Sequence, residues 1–403
     1  MAQQIFLEVF KVENYFDLQK FTNIGNSLSH RVINGTAKAD SIKNSGNIVT
    51  IQTGAGNDTI NNLGYFDISI ISGDGNDSIK SYSSYSTITS GAGKDVIFNF
   101  KASNVTINAD VGNDSIENSG DYVTIDGEAG NDSIDNEYGN NVKIYGGAGN
   151  DSIHNEAGDH VTINAGSGND TISNYAGINV TINAGAGNDT VENSGDYATI
   201  NAGAGNDTVE NYGDYATINA GAGNDLISLS SNYSAAKNDV IQYAEGDGND
   251  TIYGFQSNDT LYITKGNYTI TKSGSDIIVT VGNGKITMKD VLADNYNKIH
   301  IKNSSSKVST YNDWKVRYGS VDKNYASNVT LAGSKSADSI NSIGDNVVIT
   351  SGKGNDSVTV RGSNITINAD TGNDVISNYG SDYVTINGGA GNDIIYSALI
   401  EGN

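Results

Sequence analysis

A glycine-flanked acid returns at a nearly constant interval along this chain of 403 residues. Residues 203–225 read GAGNDTVENYGDYATINAGAGND and contain the same Gly-x-Gly-Asn-Asp motif twice, 18 residues apart. Within an array the motif recurs every 18 or 19 residues. A fixed interval of this kind predicts stacked units, because one unit alone cannot bury its apolar side chains. The motif aspartates are Asp58, Asp77, Asp95, Asp114, Asp132, Asp151, Asp170, Asp189, Asp207 and Asp225, then Asp356, Asp374 and Asp393.

Each period divides into a glycine turn, a short strand, a second turn and a second strand. Apolar and polar side chains alternate within both strands, which is the period of β-structure. In one period Ile172, Val180 and Ile182 are predicted to face inward, and Thr171 and Thr181 outward. We therefore expect an all-β fold, a parallel β-roll or β-solenoid whose stacked periods share one core.

The two turns differ in the length variation they tolerate. The glycine turn keeps its length, whereas the second turn has four residues between Asn118 and Val123 and five between Asn174 and Val180. The second turn is therefore predicted to be a surface loop. An asparagine precedes it in most periods, and such a column is expected to hydrogen-bond along the stack. The column comprises Asn62, Asn99, Asn118, Asn136, Asn155, Asn174, Asn193 and Asn211.

The composition excludes several functional classes. The formal net charge is −24, so nucleic acids and anionic membranes would repel the chain. The absence of cysteine removes disulfides and thiolate metal sites. The chain has no apolar run long enough for a membrane helix, and its first residues lack the pattern of a cleaved signal. We expect neither nucleic-acid binding nor membrane insertion.

The motif acids need a positive partner. Stacking would place each carboxylate about 4.8 Å from the next, and bare carboxylates at that spacing repel one another. Lysine and arginine total only 23 and lie mostly outside the motifs. A hard divalent cation fits better, since calcium accepts about six to eight carboxylate and carbonyl oxygens in flexible geometry. The glycines allow the backbone to turn its carbonyls toward such an ion.

Residues 146–153 (GGAGNDSI) and 388–395 (GGAGNDII) resemble the nonapeptide repeat of RTX proteins. The resemblance covers roughly residues 35–301 and 329–403. It implies calcium as the cofactor, and we expect about one ion per pair of stacked coils. Typical RTX rolls carry the glycine-aspartate turn on both sides of each coil, whereas here the second turn lacks it. We therefore expect one column of ions along one edge, and the period also resembles the extender and ice-binding repeats of some large RTX adhesins.

The predicted metal-binding residues are the glycines, asparagines and aspartates of the motifs. In the first array and its terminal repeat they are Gly54, Gly56, Asn57, Asp58, Gly73, Gly75, Asn76, Asp77, Gly91, Gly93, Asp95, Gly112, Asn113, Asp114, Gly130, Asn131, Asp132, Gly147, Gly149, Asn150, Asp151, Gly166, Gly168, Asn169, Asp170, Gly185, Gly187, Asn188, Asp189, Gly203, Gly205, Asn206, Asp207, Gly221, Gly223, Asn224, Asp225, Gly246, Gly248, Asn249 and Asp250. In the second array they are Gly352, Gly354, Asn355, Asp356, Gly372, Asn373, Asp374, Gly389, Gly391, Asn392 and Asp393.

The pattern predicts five segments, which are an N-terminal segment (1–34), a first array (35–236), a terminal repeat with an antiparallel cap (237–301), a linker (302–328) and a second array (329–403). Residues 238–263 resemble the segment that closes many RTX arrays, and a hairpin with its turn at Asn283-Gly284 follows. The cap is expected to cover an open strand edge. The linker contains the only tryptophan, Trp314.

Two outward columns offer alternative binding surfaces. A flat Thr-x-Asn array is how several ice-binding solenoids organise water, although threonine is also an ordinary solvent-facing strand residue, and Lys143 and Tyr145 interrupt the array. The threonines are Thr106, Thr124, Thr162, Thr181, Thr199 and Thr217. Tyrosines of the second turn would either stack on a glycan or shield the edge of the roll. They are Tyr122, Tyr138, Tyr175, Tyr197, Tyr212 and Tyr215.

The sequence shows no catalytic constellation, since none of its four histidines lies in a zinc-protease motif and no Gly-x-Ser-x-Gly elbow occurs. We therefore predict a non-enzymatic calcium-binding module that folds on meeting extracellular calcium. It would be a structural or adhesive protein, secreted or on a bacterial surface, with a cell-surface or glycan ligand left open. The resemblance implies type I secretion. The alternative is the repeat region of an RTX toxin or secreted enzyme without its catalytic domain.

Overall fold

The computed structural model describes residues 23–229, 238–291, 299–304, 308–311, 315–317, 321–324, 330–379 and 382–398. These residues form strands and turns without a helix, so the described part of the chain has no helix that could cross a membrane. Two compact units are present. The first holds residues up to Gly254 with Tyr262–Tyr268 and Thr280–Thr287, and the second holds Phe255–Leu261, Thr269–Val279 and the residues from Met288 on.

The strands are short, and most contain three to six residues. In chain order they are β1 (Asn23–Asn26), β2 (Arg31–Asn34), β3 (Ser41–Asn44), β4 (Val49–Ala55), β5 (Thr59–Asn62), β6 (Ile68–Asp74), β7 (Ser78–Ser81), β8 (Thr87–Thr89), β9 (Ala92–Gly93), β10 (Val96–Asn99), β11 (Thr106–Asn108), β12 (Val111–Gly112), β13 (Ser115–Asn118), β14 (Thr124–Asp126), β15 (Ser133–Asn136), β16 (Lys143–Ala148), β17 (Ser152–Asn155), β18 (Thr162–Ser167), β19 (Thr171–Asn174), β20 (Thr181–Ala186), β21 (Thr190–Asn193), β22 (Thr199–Ala204), β23 (Thr208–Asn211), β24 (Thr217–Ala222), β25 (Leu226–Ser228), β26 (Val240–Ala244), β27 (Asn249–Tyr253), β28 (Thr260–Lys265), β29 (Tyr268–Ser273), β30 (Asp276–Val281), β31 (Gly284–Met288), β32 (Ile299–Lys302), β33 (Val308–Tyr311), β34 (Lys315–Arg317), β35 (Val321–Asn324), β36 (Thr330–Ala332), β37 (Ser339–Ser342), β38 (Val348–Thr350), β39 (Ser357–Val360), β40 (Ile365–Asn368), β41 (Val375–Tyr379), β42 (Val384–Asn387) and β43 (Ile394–Ala398).

The first unit is a parallel β-solenoid with two sheets. One sheet takes the strand after each glycine turn, in the order β1-β3-β5-β7-β10-β13-β15-β17-β19-β21-β23-β25-β27. The other takes the strand before each glycine turn, in the order β2-β4-β6-β8-β11-β14-β16-β18-β20-β22-β24-β26-β28. Each strand therefore pairs with its equivalent one period away, so that Ile172 lies opposite Ile153 and Val191. The predicted β-solenoid is confirmed.

The core is built from the inward residues of both sheets. Ile172, Val180 and Ile182 have no exposed surface, whereas Thr171 is exposed and Thr181 is half-buried. The predicted inward and outward faces are therefore confirmed. Columns of identical β-branched side chains stack well on parallel strands, which explains why isoleucine and valine dominate the inward positions.

The second unit contains a shorter solenoid with two five-stranded sheets among its described residues, in the orders β34-β36-β38-β40-β42 and β35-β37-β39-β41-β43. The structure differs here from the predicted linker, because β33 to β35 lie inside residues 302–328. β34 and β35 pair in parallel with β36 and β37, and β33 pairs antiparallel with β32. Trp314 lies outside the described residues, as do residues 1–22 of the predicted N-terminal segment.

The predicted hairpin near residue 283 is displaced by one position. The two residues between β30 and β31 are Gly282 and Asn283, and Gly284 is the first residue of β31. Gly282 has a φ of 58°, the left-handed conformation that a two-residue hairpin turn needs. Gly284 packs against the hydroxyl of Tyr243, where a side chain would collide.

Candidate metal centre

The motif aspartates stack in one column inside the glycine turns. Asp132 and Asp151 each expose 2% of their surface, although both are acids. The backbone N–H of Asp114 donates to Oδ1 of Asp132 at 2.8 Å, and that of Asp132 donates to Oδ1 of Asp151 at 2.8 Å. The same bond links successive coils from Asp40 to Asp250 and from Asp338 to Asp393. One carboxylate oxygen of each coil is thus used to hold the stack.

The other oxygen, Oδ2, is buried without a hydrogen-bond partner. Among the described residues this is true of Asp58, Asp77, Asp95, Asp114, Asp132, Asp151, Asp170, Asp189, Asp207, Asp225, Asp356 and Asp374. Buried polar atoms without partners are rare in folded proteins and cost free energy, more so when they carry charge. A regular column of them along a turn therefore indicates a missing positive partner.

The first aspartate of each array is different, because both of its oxygens have partners. Among the described residues, Oδ1 of Asp40 accepts no bond from a preceding coil. The hydroxyl of Thr36 lies 3.3 Å from this oxygen, and the N–H of Thr36 donates to Oδ2 at 2.6 Å. Asp338 has the same arrangement with Ser334. Side-chain and backbone groups of the same turn therefore pair with both oxygens of the first aspartate in each array. The unpartnered Oδ2 atoms start one coil later, at Asp58 and Asp356. The sequence shows these two copies only as degenerate motifs.

Glycine carbonyl oxygens are stacked along the same turn. The backbone of Gly187 lies so close to the carbonyl oxygen of Gly168 that a Cβ would overlap it, and Gly185 lies equally close to that of Gly166. Both Gly185 and Gly187 have positive φ, 116° and 145°. Glycine is required at both positions by the close approach and by the backbone conformation. Two columns of carbonyl oxygens thus follow the carboxylate column along the turn.

The motif asparagines occupy another place. Asn169 and Asn188 are exposed, and the N–H of Asn188 donates to Oδ1 of Asn169 at 2.7 Å. Equivalent bonds join the motif asparagines of other coils. The structure therefore brings the motif aspartates and glycines together. The asparagine side chains instead lie on the exposed side of the turn, where they accept hydrogen bonds from the neighbouring coil.

Burial dominates the electrostatics of the column. It raises the pKa of Asp132 to about 7, and the carboxylates of Asp151 and Asp114 add to the effect. It raises the pKa of Asp77, Asp170 and Asp225 to about 6. Without a counter-charge these groups resist ionisation near neutral pH, and a bound cation reverses that preference.

The donor set fits calcium. Among the described residues, no three His, Asp or Glu side chains lie close enough to hold a metal by themselves, so main-chain oxygens must complete any site. Carboxylate and carbonyl oxygens are the ligands of hard cations, and calcium tolerates the irregular geometry that stacked turns provide. The site offers no sulfur ligand, since the chain has no cysteine and the motifs contain no methionine.

A family comparison agrees with this geometry. The model of the RTX calcium-binding nonapeptide repeat matches residues 49–62, 71–99, 139–159, 160–180, 179–196, 199–211, 217–231, 246–270 and 380–399. The chain is an RTX repeat protein. The matches fall on both arrays, and they support calcium binding by this RTX chain. None of the curated proteins compared with it matches.

Two solved structures show a weaker likeness to this RTX chain. One is a hyperactive, Ca²⁺-dependent, β-helical antifreeze protein from an Antarctic bacterium, with 17% identity, coverage of 90% of this chain and 87% of the other, and a TM-score of 0.33. The other is a mutant of a PL6 family alginate lyase, with 10% identity, coverage of 93% and 77%, and a TM-score of 0.19. Both scores are too low to carry a functional argument.

The opposite edge of most coils is held by side-chain hydrogen bonds that need no cation. Nδ2 of Asn155 donates to Oδ1 of Asn174 at 2.7 Å and to the carbonyl of Gly158 at 2.8 Å. The predicted asparagine ladder is confirmed by such bonds between successive coils. It is interrupted at Ser81, and Oδ1 of Asn99 is consequently left buried without a partner.

Proposed function

We propose that this chain is a calcium-dependent structural or adhesive module, secreted or displayed on a bacterial surface, whose coils are held together at the glycine turns by calcium. The column of buried, unpartnered Oδ2 atoms is the observation that supports it. Calcium is scarce in the cytosol and millimolar outside the cell, so the column would be completed only after export.

The motif aspartates and glycines would have separate tasks. Each aspartate uses Oδ1 to align neighbouring coils and leaves Oδ2 for the ion, and the glycines supply carbonyl oxygens. Bound calcium would add positive charge between two coils that otherwise repel. We propose about one ion per pair of stacked coils, in a single column, because the second turn has no equivalent set of buried carboxylates among the described residues.

A calcium titration tests the proposal. The full chain is placed in chelator at pH 7.5 and calcium is raised to about 10 mM, with magnesium as the control, while far-ultraviolet circular dichroism reports β-structure and calorimetry counts the ions. We expect a calcium-specific gain of β-structure. Asp170→Asn should remove part of the binding, whereas Asp159→Asn should not, because Asp159 lies in the second turn and accepts the N–H of Ile178. A chain that is fully folded in chelator and binds no calcium would contradict the proposal.

Ice binding is a second candidate, supported by the outward face of β18, β20, β22 and β24. Thr181 lies in register with Thr162 and Thr199, and Asn183 donates to Oδ1 of Asn164 at 2.8 Å, which fixes the amide column. Neighbouring rows are about 4.8 Å apart. Thermal hysteresis of the calcium-loaded chain tests this, with Thr181→Lys as the disrupting variant. Absence of hysteresis in the loaded wild type would exclude this function.

Two of the second-turn tyrosines, Tyr197 and Tyr215, are better suited to shielding the edge than to glycan stacking. The rings of Tyr197 and Tyr215 stack on each other at 5.0 Å between centroids and 7° between planes. Each ring therefore covers a face of its neighbour that a sugar would need.

A further inference from the structure

One face of the first unit changes its chemistry part-way along the solenoid. This post-turn face is the outward side of the strands that follow the glycine turns, from β3 to β19. The third residue after each stacked aspartate is exposed or half-buried there, and parallel pairing aligns these residues in one row. In chain order the row is Lys43, Asn61, Lys80, Phe98, Glu117, Asp135, His154 and Ser173. Basic and aromatic residues therefore end at β10, and acidic residues begin at β13.

A second row on the same face changes at the same coil. It is formed by the fifth residue after each stacked aspartate, whose N–H donates to a backbone carbonyl of the preceding coil, at 3.2 Å for Tyr82 and 3.0 Å for Glu137. All members of the row are exposed or half-buried. In chain order they are Leu63, Tyr82, Phe100, Ser119, Glu137 and Glu156. The two rows thus divide the post-turn face into an aromatic and basic half and an acidic half.

The aromatic half is a packed patch that remains open to solvent. The rings of Tyr82 and Phe100 stack with 5.1 Å between centroids and 14° between planes, and those of Phe98 and Phe100 with 5.9 Å and 11°. Nζ of Lys80 lies 5.2 Å from the centroid of Phe98, and Tyr82 is 45% exposed. Aromatic rings that are held in place and still face solvent are typical of protein interaction surfaces.

Charge points to the occupant of this patch. The lysines and arginines of the first array are concentrated near its start, because residues 102–229 contain only Lys143. The lysines of the post-turn face, Lys43 and Lys80, therefore lie at one end of an otherwise acidic solenoid, and their complement is the acidic half of the same face. A surface that carries both halves is complementary to a second copy of itself turned end for end, which is what a two-fold interface requires.

We infer that two copies of this chain pack through their post-turn faces, antiparallel, about a two-fold axis between β10 and β13. Lys80 then lies opposite Asp135 of the second copy, and Tyr82 opposite Glu137 of the second copy. The coils of both copies repeat at about 4.8 Å, so the rows stay matched along the face. The inference needs only the folded solenoid and does not rest on the proposed calcium column.

This pairing also gives the interface an ordinary anatomy. Phe98 and Phe100 of both copies lie beside the axis, so the aromatic residues are central, and the pair of Lys80 with Asp135 lies further out. Eight strands of four residues cover about 40 Å by about 13 Å, or roughly 500 Å² from each copy. An interface of that size is at the low end for specific complexes, so the charge pairs should decide whether it forms.

The test is sedimentation velocity of the full-length chain in saturating calcium, over a range of protein concentrations and from about 0.1 M to about 1 M salt. The wild type should dimerise reversibly, and the dimer should weaken as salt rises. Lys80→Glu and Asp135→Lys should each weaken dimerisation at least about tenfold, because like charges then meet at two symmetric places. Lys143→Glu makes the same charge change on the other sheet, and it should leave dimerisation unchanged.

Mixing the two variants gives the sharpest result. Opposite charges face each other again in a dimer that contains one Lys80→Glu chain and one Asp135→Lys chain, so the mixture should dimerise although neither variant does alone. Circular dichroism in calcium reports whether each variant is folded. If Asp135→Lys does not fold, Tyr82→Glu replaces it, because this exposed position faces Glu137 of the second copy and should also weaken the dimer.

Three results would overturn the inference. The first is a wild type that stays monomeric at every concentration, including one that instead binds an anionic polysaccharide and loses that binding in Lys80→Glu. The second is a dimer that both charge reversals leave intact, since its interface would then lie elsewhere. The third is a mixture of the two folded variants that remains monomeric.

Discussion

Lowering the pH in chelator should stabilise the metal-free solenoid, because protonation removes the charge that the motif aspartates cannot pair. The pKa of Asp132 in the folded chain is about 7, and that of Asp77, Asp170 and Asp225 is about 6, against an ordinary value of 3.8. A raised folded-state pKa means that the folded state binds protons more tightly than the unfolded state. The stabilisation is therefore complete below about pH 4 and is lost as the pH rises through 6 to 7.

The magnitude follows from these shifts. One pKa unit corresponds to about 1.4 kcal/mol, so each of Asp77, Asp170 and Asp225 would cost about 3 kcal/mol when ionised and Asp132 about 4 kcal/mol. None of these four coils is adjacent to another, so their contributions should be nearly independent. The four aspartates together would then destabilise the metal-free chain by about 13 kcal/mol. Solvent near the turn reduces this total, and half of it, about 6 kcal/mol, is still comparable with the stability of an average domain.

The assay is urea unfolding in chelator between pH 8 and pH 5, followed by far-ultraviolet circular dichroism. The unfolding midpoint should rise as the pH falls. In saturating calcium the trend should vanish or reverse, because protons then compete with the ion for the same carboxylates. A midpoint that falls on acidification in chelator would refute the reasoning, since it would mean that the motif carboxylates are stabilised as anions by the protein alone.

A single variant separates charge from structure. Asp132→Asn keeps an oxygen to accept the N–H of Asp114 but removes the carboxylate charge. We expect it to raise the stability of the metal-free chain at pH 7.5 and to lower the stability of the calcium-loaded chain. Urea midpoints in chelator and in calcium check both signs. A loss of stability under both conditions would show that Asp132 acts only as a hydrogen-bonding residue.

Three further variants test the packing of the coils, each by urea unfolding in saturating calcium. Gly187→Ala should destabilise by at least about 3 kcal/mol, because its Cβ would overlap a carbonyl oxygen, whereas Gly25→Ala, with open space around it, should change stability by less than about 1 kcal/mol. Asn155→Ala should cost about 2–4 kcal/mol through the loss of its ladder bonds. Ser81→Asn should add about 1 kcal/mol by giving the unpartnered Oδ1 of Asn99 a donor, and no gain would mean that water already fills that gap.

The coil and its faces were predictable because the signal repeats. A single Val-Thr-Ile segment is ambiguous, but the same segment at a fixed interval identifies the inward positions, such as Ile182, and the column of Asn155. The carboxylate column was predictable for the same reason. Stacking equivalent residues places equivalent charges together, whatever the details of the turn.

The remaining features depend on contacts that have no repeated signal. The role of Asn188 is fixed by a bond to the turn of the neighbouring coil, which a motif alone does not reveal. Strands β34 and β35 lie in a stretch whose sequence has lost the period, so it reads as a linker.

The length variation of the coil shows which edge of the solenoid is held constant. The coils that end at Asp132 and Asp151 are 18 and 19 residues long, yet the N–H to Oδ1 distance between motif aspartates is 2.8 Å in both. The ladder distance is likewise 2.7 Å across both intervals. The extra residue lies in the second turn, because Nδ2 of Asn118 reaches the carbonyl of Gly120, two residues on, whereas Nδ2 of Asn136 reaches that of Gly139, three residues on.

The glycine turn thus keeps its register while the other turn absorbs the change. Fixed register is what a column of buried carboxylates requires, since a shift of one residue would send Asp132 to the outer face of its strand. An apolar stack alone would accept insertions in either turn equally. The constancy of the glycine turn is therefore explained by the carboxylates it aligns, and the asparagine ladder supplies a second line of register that needs no ion to form.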